Sequence, residues 1–165
     1  MKLIPLVGAK HGKGKFAIVD DCDYAHLSQF KWFCVAGYAK RQYSPTGKFK
    51  DRTQISMHRE ITGAREGETV DHIDLDRLNN TRANLRICTM AQNLYNKKAT
   101  KVNKLGVKGV FLNSPKRMLT YKRKYRAKCK VNGIVYLDRT YETIEEAKAA
   151  YDAVARVHQG EFSRS

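Results

Sequence analysis

Acidic residues are scarce in this chain of 165 residues, where 16 Asp and Glu face 32 Lys and Arg for a net charge of +16 and a pI near 9.8. That balance argues for a polyanionic partner. Proline is rare at three residues, and no apolar run approaches the ~18 to 20 residues of a membrane span. The opening stretch MKLIPLVGAKHGKGK lacks the apolar centre of a signal peptide, so the expectation is a soluble, cytoplasmic protein. Four cysteines, Cys22, Cys34, Cys88 and Cys129, are scattered without a C-x-x-C pair or a Cys/His cluster. Neither zinc nor a disulfide framework is expected, and the thiols read as buried and reduced.

The positive charge is unevenly spread. Residues 97 to 135 hold thirteen Lys and Arg and no acid, whereas 61 to 96 hold four Lys and Arg against five acids. A charge run can be a solvated face, but this one is interleaved with Tyr, Val, Phe and Leu at strand spacing, which favours nucleic acid.

Along the chain the expectation is an α+β protein of small modules. Residues 13 to 57 read as short strands around a helix: 16–19, a helix over 23–30, then 31–36, 38–43 and 53–57. Ser44-Pro45-Thr46-Gly47 is the turn before the last of these. Trp32 reads as core, with a DNA contact as the rival. Next come a strand ending at Val70, a polar loop over 74–82, a strand over 85–88, and the capping box Thr89-x-x-Gln92 opening a helix near Met90. The run KKATKVNK reads as a linker lying along a backbone groove. Beyond it the pattern is a strand over 107–112, a long strand ending at Val131, the hairpin signal Asn132-Gly133, and a strand over 134–137. A helix extends from the capping box Thr143-x-x-Glu146 to Gly160, with Ile144, Ala147, Ala150, Tyr151, Val154 and Ala155 on one face. A three-stranded antiparallel sheet packed on one helix results.

In the long strand Lys122, Lys124, Arg126, Lys128 and Lys130 alternate with Tyr125, Ala127, Cys129 and Val131. Packing the apolar side on the helix leaves a basic ladder with about 7 Å between steps, suited to the phosphates and major groove of duplex DNA. A lysine-rich edge that deters aggregation is the competing reading.

Between Val70 and Asn96 the sequence VDHIDLDRLNNTRANLRICTMAQNLYN collects a base, a carboxylate and two amides. Asn84 stands 13 residues after Asp71 and Asn93 stands 22 after it. Phosphodiester hydrolysis needs a deprotonated water, a neutralised phosphate and a stabilised leaving oxygen. His72, with an ordinary pKa near ~6.5, suits the first task as general base. Asp71 and the amide oxygen of Asn93 are hard ligands for one Mg²⁺ or Mn²⁺, and Asn84 would hold the loop that orients His72.

The string resembles the HNH homing endonucleases, through Met57-His58-Arg59, Val70-Asp71-His72-Ile73, Asn79-Asn80 to Asn84-Leu85-Arg86, and Gln92-Asn93. The resemblance implies a ββα-metal nuclease module, with His72 and Asn84 catalytic, Asp71 and Asn93 holding metal, and His58 structural. Arg86 is left either to a phosphate or to a salt bridge. Asp74-Leu75 stands where the family usually has Asn-Gly, which throws the loop's turn into question. Residues 106 to 162 resemble the apetala/ethylene-response-factor DNA-binding domain, through Gly106-Val107-Lys108-Gly109-Val110, Tyr125-Arg126-Ala127, Tyr136-Leu137 and residues 143 to 152. Lys108, Lys130 and Tyr136 match its DNA-reading positions, while Phe111 and Asn113 replace arginines.

These readings give a nuclease module over 1–96, a basic linker over 97–105 and a DNA-binding domain over 106–165. The expected activity is metal-dependent cleavage of site-selected double-stranded DNA by a phage or mobile-element enzyme, as a monomer or a DNA-bound dimer. Rivals are a DNA-binding regulator on a decayed nuclease scaffold and a binder of single-stranded RNA.

Overall fold

A computed structural model describes residues 1–8, 12–113 and 124–164. Lys122 lies outside them. The chain forms two compact units, Met1–Met90 and Ala91–Ser165.

The first unit is built on a five-stranded sheet of order β2-β1-β3-β4-β5: β1 (Lys2–Val7), β2 (Phe16–Val19), β3 (Trp32–Val35), β4 (Tyr38–Tyr43) and β5 (Thr53–Ser56). Sequence patterning does not show β1, because Pro5 argues against a strand with a neighbour on each side. Pro5 is tolerated because it pairs with Phe16 of β2 but precedes the stretch that β3 joins, at Leu6 and Val7. Helix α1 (Asp21–Leu27) begins and ends earlier than expected. Met57, expected to end a strand, instead opens α2 (Met57–Thr62), a helix the sequence pattern did not signal. Trp32 is fully buried and its indole Nε1 donates to the carbonyl of Leu27 at 2.8 Å, so it belongs to the core. Ile4, Leu6, Val19, Leu27, Met57, Ile61, Val70 and Leu85 complete that core. The last two belong to a separate ribbon, which the core thereby ties to the sheet.

That ribbon is two-stranded and antiparallel, β6 (Thr69–His72) paired with β7 (Leu85–Cys88). The loop between them is stitched to β2: Ile18 N–H donates to the Leu78 carbonyl and Asn80 N–H to the Ile18 carbonyl, both at 2.8 Å. Arg82 pairs with Asp23 at 2.7 Å, and its backbone N–H donates to Asp20 Oδ2 at 2.7 Å. The loop is therefore part of the folded unit. Helix α3 (Met90–Asn96) comes after β7 in sequence and falls almost wholly within the second unit.

The second unit has an antiparallel sheet of order β10-β9-β8: β8 (Val110–Leu112), β9 (Tyr125–Val131) and β10 (Ile134–Tyr141). Strand β8 begins three residues later than the sequence suggests, because Gly109 turns the chain with φ +71°. Asn132 and Gly133 both take positive φ, 49° and 87°, which is the hairpin their dipeptide signals. Strand β10 runs on past the expected Leu137, through an irregularity between Val135 and Leu137. Helix α4 (Ile144–Gln159) starts where Thr143 Oγ1 accepts from the Glu146 N–H at 3.2 Å. It buries Ala147, Tyr151 and Ala155 with Val110, Ala127, Cys129, Val131 and Leu137. Cys34, Cys88 and Cys129 are buried as expected, but Cys22 is exposed.

Candidate active site

Asp71 and His72 end β6, opposite Arg86 and Leu85 of β7. Alternation along a strand would turn two successive side chains to opposite faces, yet both are buried, at 3% and 5% exposure. Asp71 Oδ2 accepts from Arg86 Nε at 3.0 Å and from its terminal nitrogen at 2.9 Å. Of the two roles left open for Arg86, the ion pair is the one observed.

His72 lies in a ring cluster. Its centroid is 5.3 Å from His58 of α2, edge to face, and 6.0 Å from Tyr38 of β4. The Arg77 guanidinium covers the Tyr38 ring at 4.6 Å. His72 Nε2 stands 3.4 Å from Oδ1 of Asn80, which is fully buried. Burial pushes the His72 imidazole below its ordinary value, against the Asn80 contact and the nearby carboxylates of Asp74, Asp71 and Asp76, which raise it. The ring is thus neutral at neutral pH. Sequence reasoning missed Tyr38, Asn80 and Arg77; only the second Asn of the Asn79-Asn80 pair carried any signal.

Asn84 is the hub of the 73–84 loop. Its Oδ1 accepts from the Asp74 N–H at 3.0 Å, and its Nδ2 donates to Asp74 Oδ1 at 2.9 Å and to the Asn79 carbonyl at 2.8 Å. Asp74 also takes the Asp76 N–H and Asn79 Nδ2, at 2.8 and 2.7 Å. Burial would raise the Asp74 carboxyl, but the Asn79 and Asn84 amides and the Asp76 N–H outweigh it and hold the group below its ordinary value. Leu75 does adopt the left-handed turn, φ +70°, with its N–H on the His72 carbonyl at 3.0 Å. The loop's hydrogen bonds bear the strain that glycine would avoid.

Asn93 sits in α3, in the second unit. Among the described residues no three His, Cys, Asp or Glu side chains gather as a metal cluster. Asp71 and Asn93 carry a carboxylate and an amide oxygen, hard donors of the kind Mg²⁺ or Mn²⁺ takes while keeping several waters.

In the second unit the alternation along β9 holds. Ala127, Cys129 and Val131 are buried, and Lys128 and Lys130 are exposed on the other face, as is Lys124 just before the strand. Arg126, on the same face, is committed to both oxygens of Asp138 at 2.5 and 2.6 Å. At the β10 irregularity the Tyr136 ring stacks on His158 of α4, with centroids 3.7 Å apart and 22° between planes. Lys108 precedes β8, half-buried, with its ammonium on the Tyr95 carbonyl.

Residues 60–95 match the family model described as HNH endonuclease. The chain is 34% identical over 158 residues to an uncharacterised HNH endonuclease of Acanthamoeba polyphaga mimivirus, covering 92% of this chain and 75% of that protein. The chain belongs to the HNH endonuclease family. It is therefore a nuclease, a hydrolase of phosphodiester bonds, and the matched HNH segment contains Asp71, His72, Asn84, Arg86 and Asn93. No solved structure matches the chain. Among the described residues no helix is long and apolar enough to cross a membrane.

Proposed function

We propose that this HNH endonuclease is of the homing type and makes a metal-dependent cut in double-stranded DNA at a selected site, leaving 5′-phosphate and 3′-hydroxyl ends. The observation that carries the reading is a buried, neutral His72 held at the end of β6 beside the carboxylate of Asp71. His72 accepts the proton of the attacking water. Asn84 fixes the loop that borders it, through its three bonds to Asp74 and Asn79. Asp71 and Asn93 would hold Mg²⁺ or Mn²⁺ in a ββα-metal module, as the resemblance to the family implies. That ion would neutralise the scissile phosphate and stabilise the leaving oxygen. Arg86 keeps Asp71 oriented.

The second unit grips the DNA through Lys124, Arg126, Lys128 and Lys130, in the manner of the apetala/ethylene-response-factor domain it resembles. The acid-free stretch over 97–135 and the exposed basic face of β9 support this. One active site per chain makes nicking natural for a monomer.

Purified protein incubated with DNA that includes its native locus, with Mg²⁺ or EDTA, tests the reading by the appearance of nicks. His72→Ala is expected to abolish cleavage while leaving DNA affinity unchanged. Cleavage by the variant at the normal rate would remove His72 as base. Asp71→Ala and Asn93→Ala should raise the metal requirement, and normal metal titrations in both would overturn the ligand assignment. DNA binding without any metal-dependent cut would favour a regulator on a nuclease scaffold.

A further inference from the structure

In the second unit a cavity of about 330 Å³ opens between the start of the basic run, the turn before β8, the first turns of α4 and the C-terminal residues. Four of its lining residues are cations, Lys98, Lys108, Lys148 and Arg164, and the rest are small or apolar. No acid lines it among the described residues. These cations come from four separate stretches of chain, so the fold, not the local sequence, has gathered them.

Part of this charge has an internal use. The Lys108 ammonium on the Tyr95 carbonyl stabilises the last turn of α3, as a cation at a helix C-terminus does. Lys148 bonds Asp152 one turn along α4. Arg164 Nε donates to Asn96 Oδ1 at 3.2 Å, which orients the guanidinium. Capping uses Lys108, while Lys98 and Arg164 line the same cavity. Lys108 is half-buried, and both that burial and the like charge of Arg164 disfavour its ammonium form. A site that holds two cations together, partly out of water, is costly by itself and favourable around an anion.

We propose that this cavity is a phosphate-binding site in which Lys108 and Arg164, with Lys98 at its margin, take one phosphate group of a nucleic-acid backbone or of a free polyphosphate. The anion's size fits the volume. The orientation of Arg164 by Asn96 gives it the fixed guanidinium that phosphate oxygens match. The nucleic-acid source rests on the DNA-cleaving function proposed above; the site itself does not.

The test uses the full chain and two probes, inorganic pyrophosphate by calorimetry and a labelled DNA duplex by fluorescence anisotropy at several salt concentrations. Arg164→Gln and Lys108→Gln are compared with Lys13→Gln, an exposed change in the first unit that removes the same charge. Arg164→Lys serves as the conservative variant, and circular dichroism checks folding, since Lys108→Gln alone could loosen α3. If the phosphate is DNA's, both Gln variants at the cavity lose pyrophosphate heat, and their log-log salt slope for DNA becomes shallower by about 0.9, the value of one phosphate. Lys13→Gln keeps the pyrophosphate heat, and Arg164→Lys recovers part of it. Loss of pyrophosphate binding with an unchanged DNA slope assigns the site to a free polyphosphate. Wild-type protein that gives no pyrophosphate heat, or cavity variants that behave like Lys13→Gln with both probes, overturns the proposal. Pyrophosphate binding that depends on Arg164 in a chain that never nicks DNA would keep the site and remove the nuclease mechanism.

Discussion

His58 faces His72 across 5.3 Å and carries an Nδ1 that is buried without a hydrogen-bond partner among the described residues. Burial, then the proximity of His72, Arg59 and Lys40, lowers its pKa from 6.5 to about 4. Between those two values the unfolded chain takes up a proton that the folded one refuses, so the stabilisation is complete above 6.5 and is lost as pH falls toward 4. With allowance for partial water access, the loss is on the order of 2–3 kcal/mol. Urea unfolding at pH 7 and at pH 4.5 should show this fall in the wild type and a smaller one in His58→Phe, which keeps a ring but cannot titrate. Equal falls in both proteins would mean that His58 is protonated in the fold. At the same scale Leu75 is instructive, because Leu read by itself argues against a left-handed turn, yet φ is +70° there. Asn84 and its neighbour Asp74 fix the loop around it through their mutual hydrogen bonds.

Elements are set by local signals only where no distant contact overrides them. The Asn132-Gly133 turn and the Thr143 cap form where their residue types indicate. The start of β8 is not legible in the same way, because Gly109 looks like any residue in a short apolar run. Its reason is tertiary: a Cβ there would stand 2.1 Å from the ring of Tyr151 on α4. Gly109→Ala must therefore both strain the backbone and push the helix from the sheet. It is expected to cost at least about 2 kcal/mol, against about 1 kcal/mol for Gly133→Ala, which has positive φ but open space around it. Denaturant midpoints of the two variants give the ranking, and equal midpoints would show that the close approach of helix and sheet is not maintained in solution.

For the whole molecule, the proposed grip on DNA rests on the distribution of charge. Replacing Lys124, Arg126, Lys128 and Lys130 together by Gln should weaken duplex binding and flatten its salt dependence, by about 0.9 in log-log slope for each phosphate no longer neutralised. The ion pair with Asp138 makes Arg126 the member most constrained within the protein, so Arg126→Gln alone should change the slope least. Anisotropy titrations at several salt concentrations would show this, and an unchanged slope in the fourfold variant would move the binding surface elsewhere, to the exposed cations of the first unit.

Composition and spacing by themselves determined the broad class, the basic face of β9 and the set of chemically competent residues between Asp71 and Asn93. These are legible because strand alternation and motif offsets are local properties of the chain. Only the tertiary structure decided that Arg86 is held by Asp71, that Tyr136 lies on His158, that Lys108 turns to α3, and that Tyr38, His58 and Asn80 enclose His72. Each of those partnerships joins residues distant in sequence or opposed by register. A side chain's exposure, protonation and orientation depend on what the folded chain brings beside it, which no local pattern records.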